Sequence, residues 1–187
     1  PTQLSQNDHL HQRLTALRLI IRNDPTDARN RVNLGGLLAQ IGQPEQAVKV
    51  LEEAISINAN VNGAHLNLAI ALERARRLPQ AEKAIHEALR IDPKNSDAYN
   101  QFAIILFRQK NIKAAIQRVQ HAIKLRPNAV PYHENLGMFY AISKQYDFAR
   151  KVFAHILTMN PNHMGAQRSL RRLDTMVKRQ GSVPKPQ

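Results

Sequence analysis

The chain has no cysteine and no tryptophan, and only 5% of its residues are aromatic. Without cysteine there can be no disulfide, no thiolate nucleophile and no Cys-based zinc site. Acidic residues are also scarce, 14 against 27 Lys and Arg, which gives a formal net charge of +13. Long hydrophobic runs are missing too. The densest apolar clusters, 17–21 and 104–107, are broken by Arg18 and closed by Arg108, far short of the roughly 20 residues that span a bilayer. The sequence opens at Pro1 rather than Met, which leaves room for a removed signal or anchor upstream. Cytoplasmic and periplasmic settings are both compatible with it. What remains is 43% apolar and dominated by Ala, Leu, Ile, Gln, Arg and Lys, the residues that favour helices. An all-α protein with a sizeable core is expected.

Prolines at 25, 93, 127 and 161 fall on a 34-residue grid, and its vacant point holds Ala59 in the turn-like run Asn58-Ala59-Asn60. A fixed period of this size signals a repeat architecture. Stacking 28–61, 62–95, 96–129 and 130–163 aligns Leu34-Gly35, Leu68-Ala69, Phe102-Ala103 and Leu136-Gly137, a large apolar residue followed by a tiny one. Leu38, Leu72, Leu106 and Tyr140 follow on the same helical face. Each unit then gives a second amphipathic helix: Ala47, Ala81, Ala115 and Ala149; Leu51, Ile85, Val119 and Phe153; Ala54, Ala88, Ala122 and Ile156.

These columns resemble the tetratricopeptide repeat (TPR), whose pattern is Trp-x2-Leu-Gly-x2-Tyr, then Ala-x3-Phe, then Pro. The departures are Arg31, His65, Tyr99 and His133 at the leading aromatic position, and Ile156 where a small residue is usual. The resemblance implies a right-handed solenoid of helix-turn-helix units. Pro44 and Pro79 suit the starts of second helices, and Thr26 and Ser96 are expected as N-caps. Residues 1–27 should hold a truncated flanking repeat, with Leu10, Leu14, Leu17 and Ile21 at helical spacing. Residues 164–180 should form a basic capping helix with Met164, Leu170, Leu173 and Val177 inward and Arg168, Arg171, Arg172, Lys178 and Arg179 outward. The tail 181–187, with two prolines, is expected to be disordered.

The resemblance further implies that first helices line a concave groove. The column there reads Asn33, Asn67, Gln101, Asn135. A carboxamide both donates and accepts, so it can pair with a peptide backbone whatever the partner's side chains. The column is similar to the asparagine ladder in the TPR superhelix of O-GlcNAc transferase, although no glycosyltransferase domain follows. Amides at this position also serve hydrogen bonding between repeats. Three residues on stand Gly36, Ile70, Ile104 and Met138, with Phe107 a turn further, as candidate aliphatic anchors; these too can pack against neighbouring repeats. Arg74 and Arg108 are candidates for an acidic group on the partner, or solvated. The TPR clamp for chaperone tails is disfavoured, because its columns hold Val32, Gly36, Asn67, Asp97 and Gln101 and only Asn67 fits.

Charge is uneven. Residues 96–129 carry six basic residues against Asp97 alone, and 164–187 six against Asp174 alone. Such a surface attracts an acidic protein, an anionic membrane or nucleic acid, but no basic stripe is interleaved with aromatics for base stacking, so nucleic acid is disfavoured. The eight histidines make no His-Glu-x-x-His pattern, and neither a nucleophile elbow nor a Gly-rich phosphate loop occurs. The sequence therefore predicts no enzyme, no metal and no cofactor. It predicts an interaction scaffold that holds an extended polypeptide or helix between Asn33, Asn67, Gln101, Asn135 and their aliphatic neighbours, in the assembly or secretion of a larger complex. The alternatives are an anionic partner on the basic C-terminal half, Arg168, Arg171 and Arg172 included, or a region that recruits substrate to a larger enzyme. Self-association is compatible with either.

Overall fold

The computed structural model describes residues 3–181, with side chains from 8 to 176, and the described residues form ten α-helices and no strand. Two compact units divide the chain after Pro93. Unit 1 holds α1 (Gln3–Asn23), α2 (Ala28–Gln40), α3 (Pro44–Ile57), α4 (Ala64–Arg74) and α5 (Leu78–Ile91). Unit 2 holds α6 (Ser96–Arg108), α7 (Ile112–Leu125), α8 (Val130–Ile142), α9 (Tyr146–Met159) and α10 (Met164–Gly181). None of the described helices is long and apolar enough to cross a membrane.

The aligned columns are the cores of the two units. Ala47, Leu51, Ala54, Ala81 and Ile85 are fully buried in unit 1, as are Ala115, Val119, Ala122, Ala149 and Ile156 in unit 2. Leu38, Leu72 and Leu106 are buried as first-helix knobs, whereas Tyr140 is half-buried. Its hydroxyl accepts from Gln120 Nε2 at 3.0 Å, which needs a polar edge. Ile156 fills the end of unit 2 against Phe153, Ala166 and Leu173.

Each helix pair turns through the same backbone device. Gly42, Arg76, Lys110 and Lys144, one period apart, all take the left-handed conformation, with φ of 81°, 60°, 66° and 61°. The next residue's N–H then reaches back five residues, from Gln43, Arg77, Asn111 and Gln145 to the carbonyls of Leu38, Leu72, Leu106 and Tyr140, at 2.8–2.9 Å. This is the Schellman closure, which satisfies carbonyls that the ending helix leaves open. It turns each second helix back onto the first.

Both expected N-caps sit one residue away. Asp27 caps α2, accepting from Asn30 N at 2.8 Å, and Asn95 caps α6, accepting from Ala98 N at 2.9 Å. The neighbouring Thr26 instead donates to Asp24, and Ser96 is the first residue of α6. Pro44 and Pro79 do open their helices, as does Pro131. Of the flanking residues expected to point inward, Leu14 and Leu173 are buried, but Met164 is 63% exposed and Ala166 takes its place. Met164 is the first residue of α10, so its side chain extends beyond the contact that α10 makes with α9. The expectations for the side chains of Val177, Lys178 and Arg179, and for the tail past Gly181, lie outside the described residues.

Candidate functional site

Unit 1 has a cavity of about 550 Å3 on its first-helix side, where α1, α2 and α4 meet, lined by Arg13, Ile20, Asn33, Gly36, Gln40 and Asn67 among others. Asn33 is exposed and donates from Nδ2 to Asn30 Oδ1 at 3.3 Å. Asn67, one repeat on, is half-buried. Gly36 lets the Asn67 side chain lie close over α2: a Cβ there would stand 3.2 Å from Asn67 Nδ2. Where the later repeats carry Ile70, Ile104 and Met138, the first repeat has Gly36, and the Asn67 carboxamide packs over it. Two carboxamides thus flank a floor of backbone, with the apolar residues Leu17, Ile20 and Val32 alongside. Such a surface can hydrogen-bond a chain and seat an apolar side chain beside it.

Arg74 does not project freely. Its Nη1 donates to the carbonyl of Ala39, in the last turn of α2, where a cation also offsets the partial negative charge of the helix end. Ile70 is half-buried.

In unit 2 the same columns are built differently. Gln101 is buried, with 8% exposure, and its Nε2 has no hydrogen-bond partner. Asn135 Nδ2 donates to Asn100 Oδ1 at 2.8 Å, linking α8 to α6, so here the amide serves bonding between repeats. Ile104 is half-buried, and Phe107 stacks on Phe139 with ring centroids 4.8 Å apart. Arg108 is exposed and engaged in an interaction of its own. Met138 is 39% exposed and opens onto a cavity of about 570 Å3 between α8, α9 and α10, walled by Ile142, Tyr146, Phe153, Leu173 and Met176. Arg172 and Lys144 lie on the same lining. Arg168 and Arg171 are exposed elsewhere on α10, and Arg168 Nε reaches Met164 O at 3.4 Å.

The structure therefore brings Asn33 and Asn67 together around Gly36, and separately gathers Met138 and Arg172 around an apolar hollow. The sequence reading missed Arg13, Ile20 and Gln40 as lining residues. For Ile20 the signal was present in the run 17–21, where Leu19 and Ile20 remain 56% and 43% exposed, more apolar surface than a flanking helix needs to cover its neighbour.

Solved structures match the fold closely. TTC0263, a TPR protein of Thermus thermophilus, superposes with a TM-score of 0.80 at 16% identity, over 92% of this chain and 94% of that one. PilF of Pseudomonas aeruginosa gives 0.72 at 27% identity, over 82% and 70%. YrrB, described as a TPR protein with an unusual peptide-binding site, gives 0.64 at 21%, over 87% and 84%. No curated protein matches the sequence. The helical pairs, their columns and these likenesses agree on a TPR solenoid, and the family model for the TPR domain of cytochrome c-type biogenesis protein H covers residues 2–133, so the chain belongs to that family.

Proposed function

We propose that the chain is a non-catalytic scaffold that holds an extended polypeptide on the first-helix side of unit 1, with Asn33 and Asn67 pairing to its backbone and the cavity they line receiving a side chain. The observation that carries this is the cavity in which Asn33, Gly36 and Asn67 stand together. Carboxamides recognise what every polypeptide has, while Leu17, Ile20 and Val32 add a preference for an apolar side chain. In unit 2 the positions equivalent to Gly36 hold Ile104 and Met138, with Phe107 a turn beyond Ile104, all apolar. Family membership supports a partner among the polypeptides of cytochrome c-type biogenesis.

The test is capture of a haem-free cytochrome c polypeptide by the immobilised chain, compared with Asn33→Ala/Asn67→Ala. Losing two neutral hydrogen bonds of about 1 kcal/mol each should weaken capture by at least about tenfold, with the helical circular dichroism unchanged. Equal capture by the variant would remove the amides from the binding site.

A further inference from the structure

Unit 2 carries another cavity, of about 600 Å3, on the side of its second helices, between α7, α8 and α9. Its apolar floor is Ile123, Leu136 and Val152, and Lys124, Lys151 and His155 stand around it. No acidic residue lines it. Helix α7 contains Lys113, Arg118 and Lys124 and no Asp or Glu, and the only acid in α9, Asp147, sits in the first turn.

The origin of this charge is legible one period at a time. Glu53, Glu87, His121 and His155 occupy one column of the second helices. In unit 1 the carboxylates answer cations: Arg31 Nε lies 3.7 Å from Glu53 Oε2, and Arg90 Nε lies 2.8 Å from Glu87 Oε2. In unit 2 rings replace them: Tyr99 packs on His121 with centroids 4.2 Å apart, and His133 on His155 at 5.0 Å. Ring contact keeps the helices packed and deletes the negative charge. Two arginines outside this groove have carboxylate partners, Arg126 with Asp97 and Arg150 with Asp174. Lys124 and Lys151 have no carboxylate partner among the described residues.

We propose that this groove docks an acidic polypeptide segment in which carboxylate and aliphatic side chains alternate. The carboxylates would meet Lys124 and Lys151, and the aliphatic groups would cover Ile123, Leu136 and Val152. A phosphate backbone would leave the apolar floor bare. A polypeptide satisfies both chemistries, with charge governing encounter and orientation. The groove's residues from 136 onward lie beyond the family match, which ends at 133, and the surface is separate from the amide pair of unit 1.

The probe is a fluorescein-labelled peptide of repeating Glu-Leu-Glu-Ser, titrated into the full chain at fixed salt. It should bind more tightly than a Glu-Ser-Glu-Ser repeat and far more tightly than a Lys-Leu-Lys-Ser repeat. Lys124→Glu/Lys151→Glu should weaken it at least about tenfold, and the milder Lys124→Gln/Lys151→Gln should fall between. Reversing Lys49 and Lys83, which lie on second helices of unit 1, should leave it within about twofold of wild type. Asn33→Ala/Asn67→Ala should also leave it unchanged, which keeps this site distinct from the first. An affinity that survives the Lys124/Lys151 reversal overturns the proposal. So does tighter, reversal-sensitive binding of phosphatidylglycerol vesicles or single-stranded DNA.

Discussion

A Cβ on Gly35 would stand 2.4 Å from Cγ of Leu51, a separation that non-bonded carbons do not tolerate. The last repeat has the same relationship, with the Cβ position of Gly137 lying 2.7 Å from Phe153 Cζ. In the two middle repeats the small residue is Ala69 or Ala103, and the residue in the facing column is the β-branched Ile85 or Val119. Glycine thus goes with the bulky Leu or Phe, and alanine with a side chain branched closer to the backbone. Gly35→Ala should cost about 1–3 kcal/mol through overpacking, despite alanine's better helix propensity. Adding Leu51→Val to Gly35→Ala should recover part of that loss, giving a favourable coupling of at least about 0.5 kcal/mol in a double-mutant cycle. Urea denaturation of the four chains measures it. Strict additivity would mean that helix α2 shifts to relieve the clash.

Such packing was readable because a core residue answers to a column, and columns repeat. The large-small pairs, the knobs and the alanines of the second helices all lie where the period puts them. Caps were less readable: Thr26 and Asp27 are both good capping residues, and only the path of the chain decides that Asp27 faces Asn30 N while Thr26 folds onto Asp24. The surface columns were the least legible. Asn33, Asn67, Gln101 and Asn135 share a register, yet one is exposed, one half-buried, one buried and one bonded to Asn100. A repeat fixes which way a side chain leaves its helix. Its neighbours come from other columns, where Gly36 and Ile104 are not alike.

Tyr132 ties α8 to α6. Its hydroxyl donates to Asp97 and lies 3.1 Å from Ser96 Oγ, while Arg126 pairs with the same Asp97 at 3.3 Å and stands over the Tyr132 ring at 5.8 Å. Burial, together with the bond to Asp97, holds the phenol's pKa above its ordinary value of 10.0. The neutral phenol is therefore the form that the fold prefers. Its contribution is complete below pH 10, and it is lost as pH climbs through the raised native value, because the unfolded chain ionises first. Tyr132→Phe should lose about 1.5 kcal/mol at pH 8, the value of a hydrogen bond to a partly exposed carboxylate. The difference in Tm between wild type and variant should shrink as pH rises past 10. Thermal melts at pH 8 and pH 11 check both the cost and its sign; a gap that stays constant would show that the hydroxyl's proton is irrelevant to stability.

Gln101 is the amide of its column that the fold buries. At 8% exposure it has little surface to offer a polypeptide, unlike the exposed Asn33, and its unpartnered Nε2 is a cost the native chain carries. Methionine has similar length and no donor, and its flexible thioether adapts to the same space. Gln101→Met should therefore raise stability by about 1 kcal/mol, the lower end of the penalty for a buried unsatisfied donor. Capture of a haem-free cytochrome c polypeptide should stay within about twofold of wild type, in contrast to Asn33→Ala/Asn67→Ala. Urea denaturation and the capture assay read the two effects independently. If Gln101→Met instead weakened capture as strongly as the double alanine variant, the buried amide would have to emerge on binding. The recognition surface would then extend into unit 2 through a rearrangement of α6.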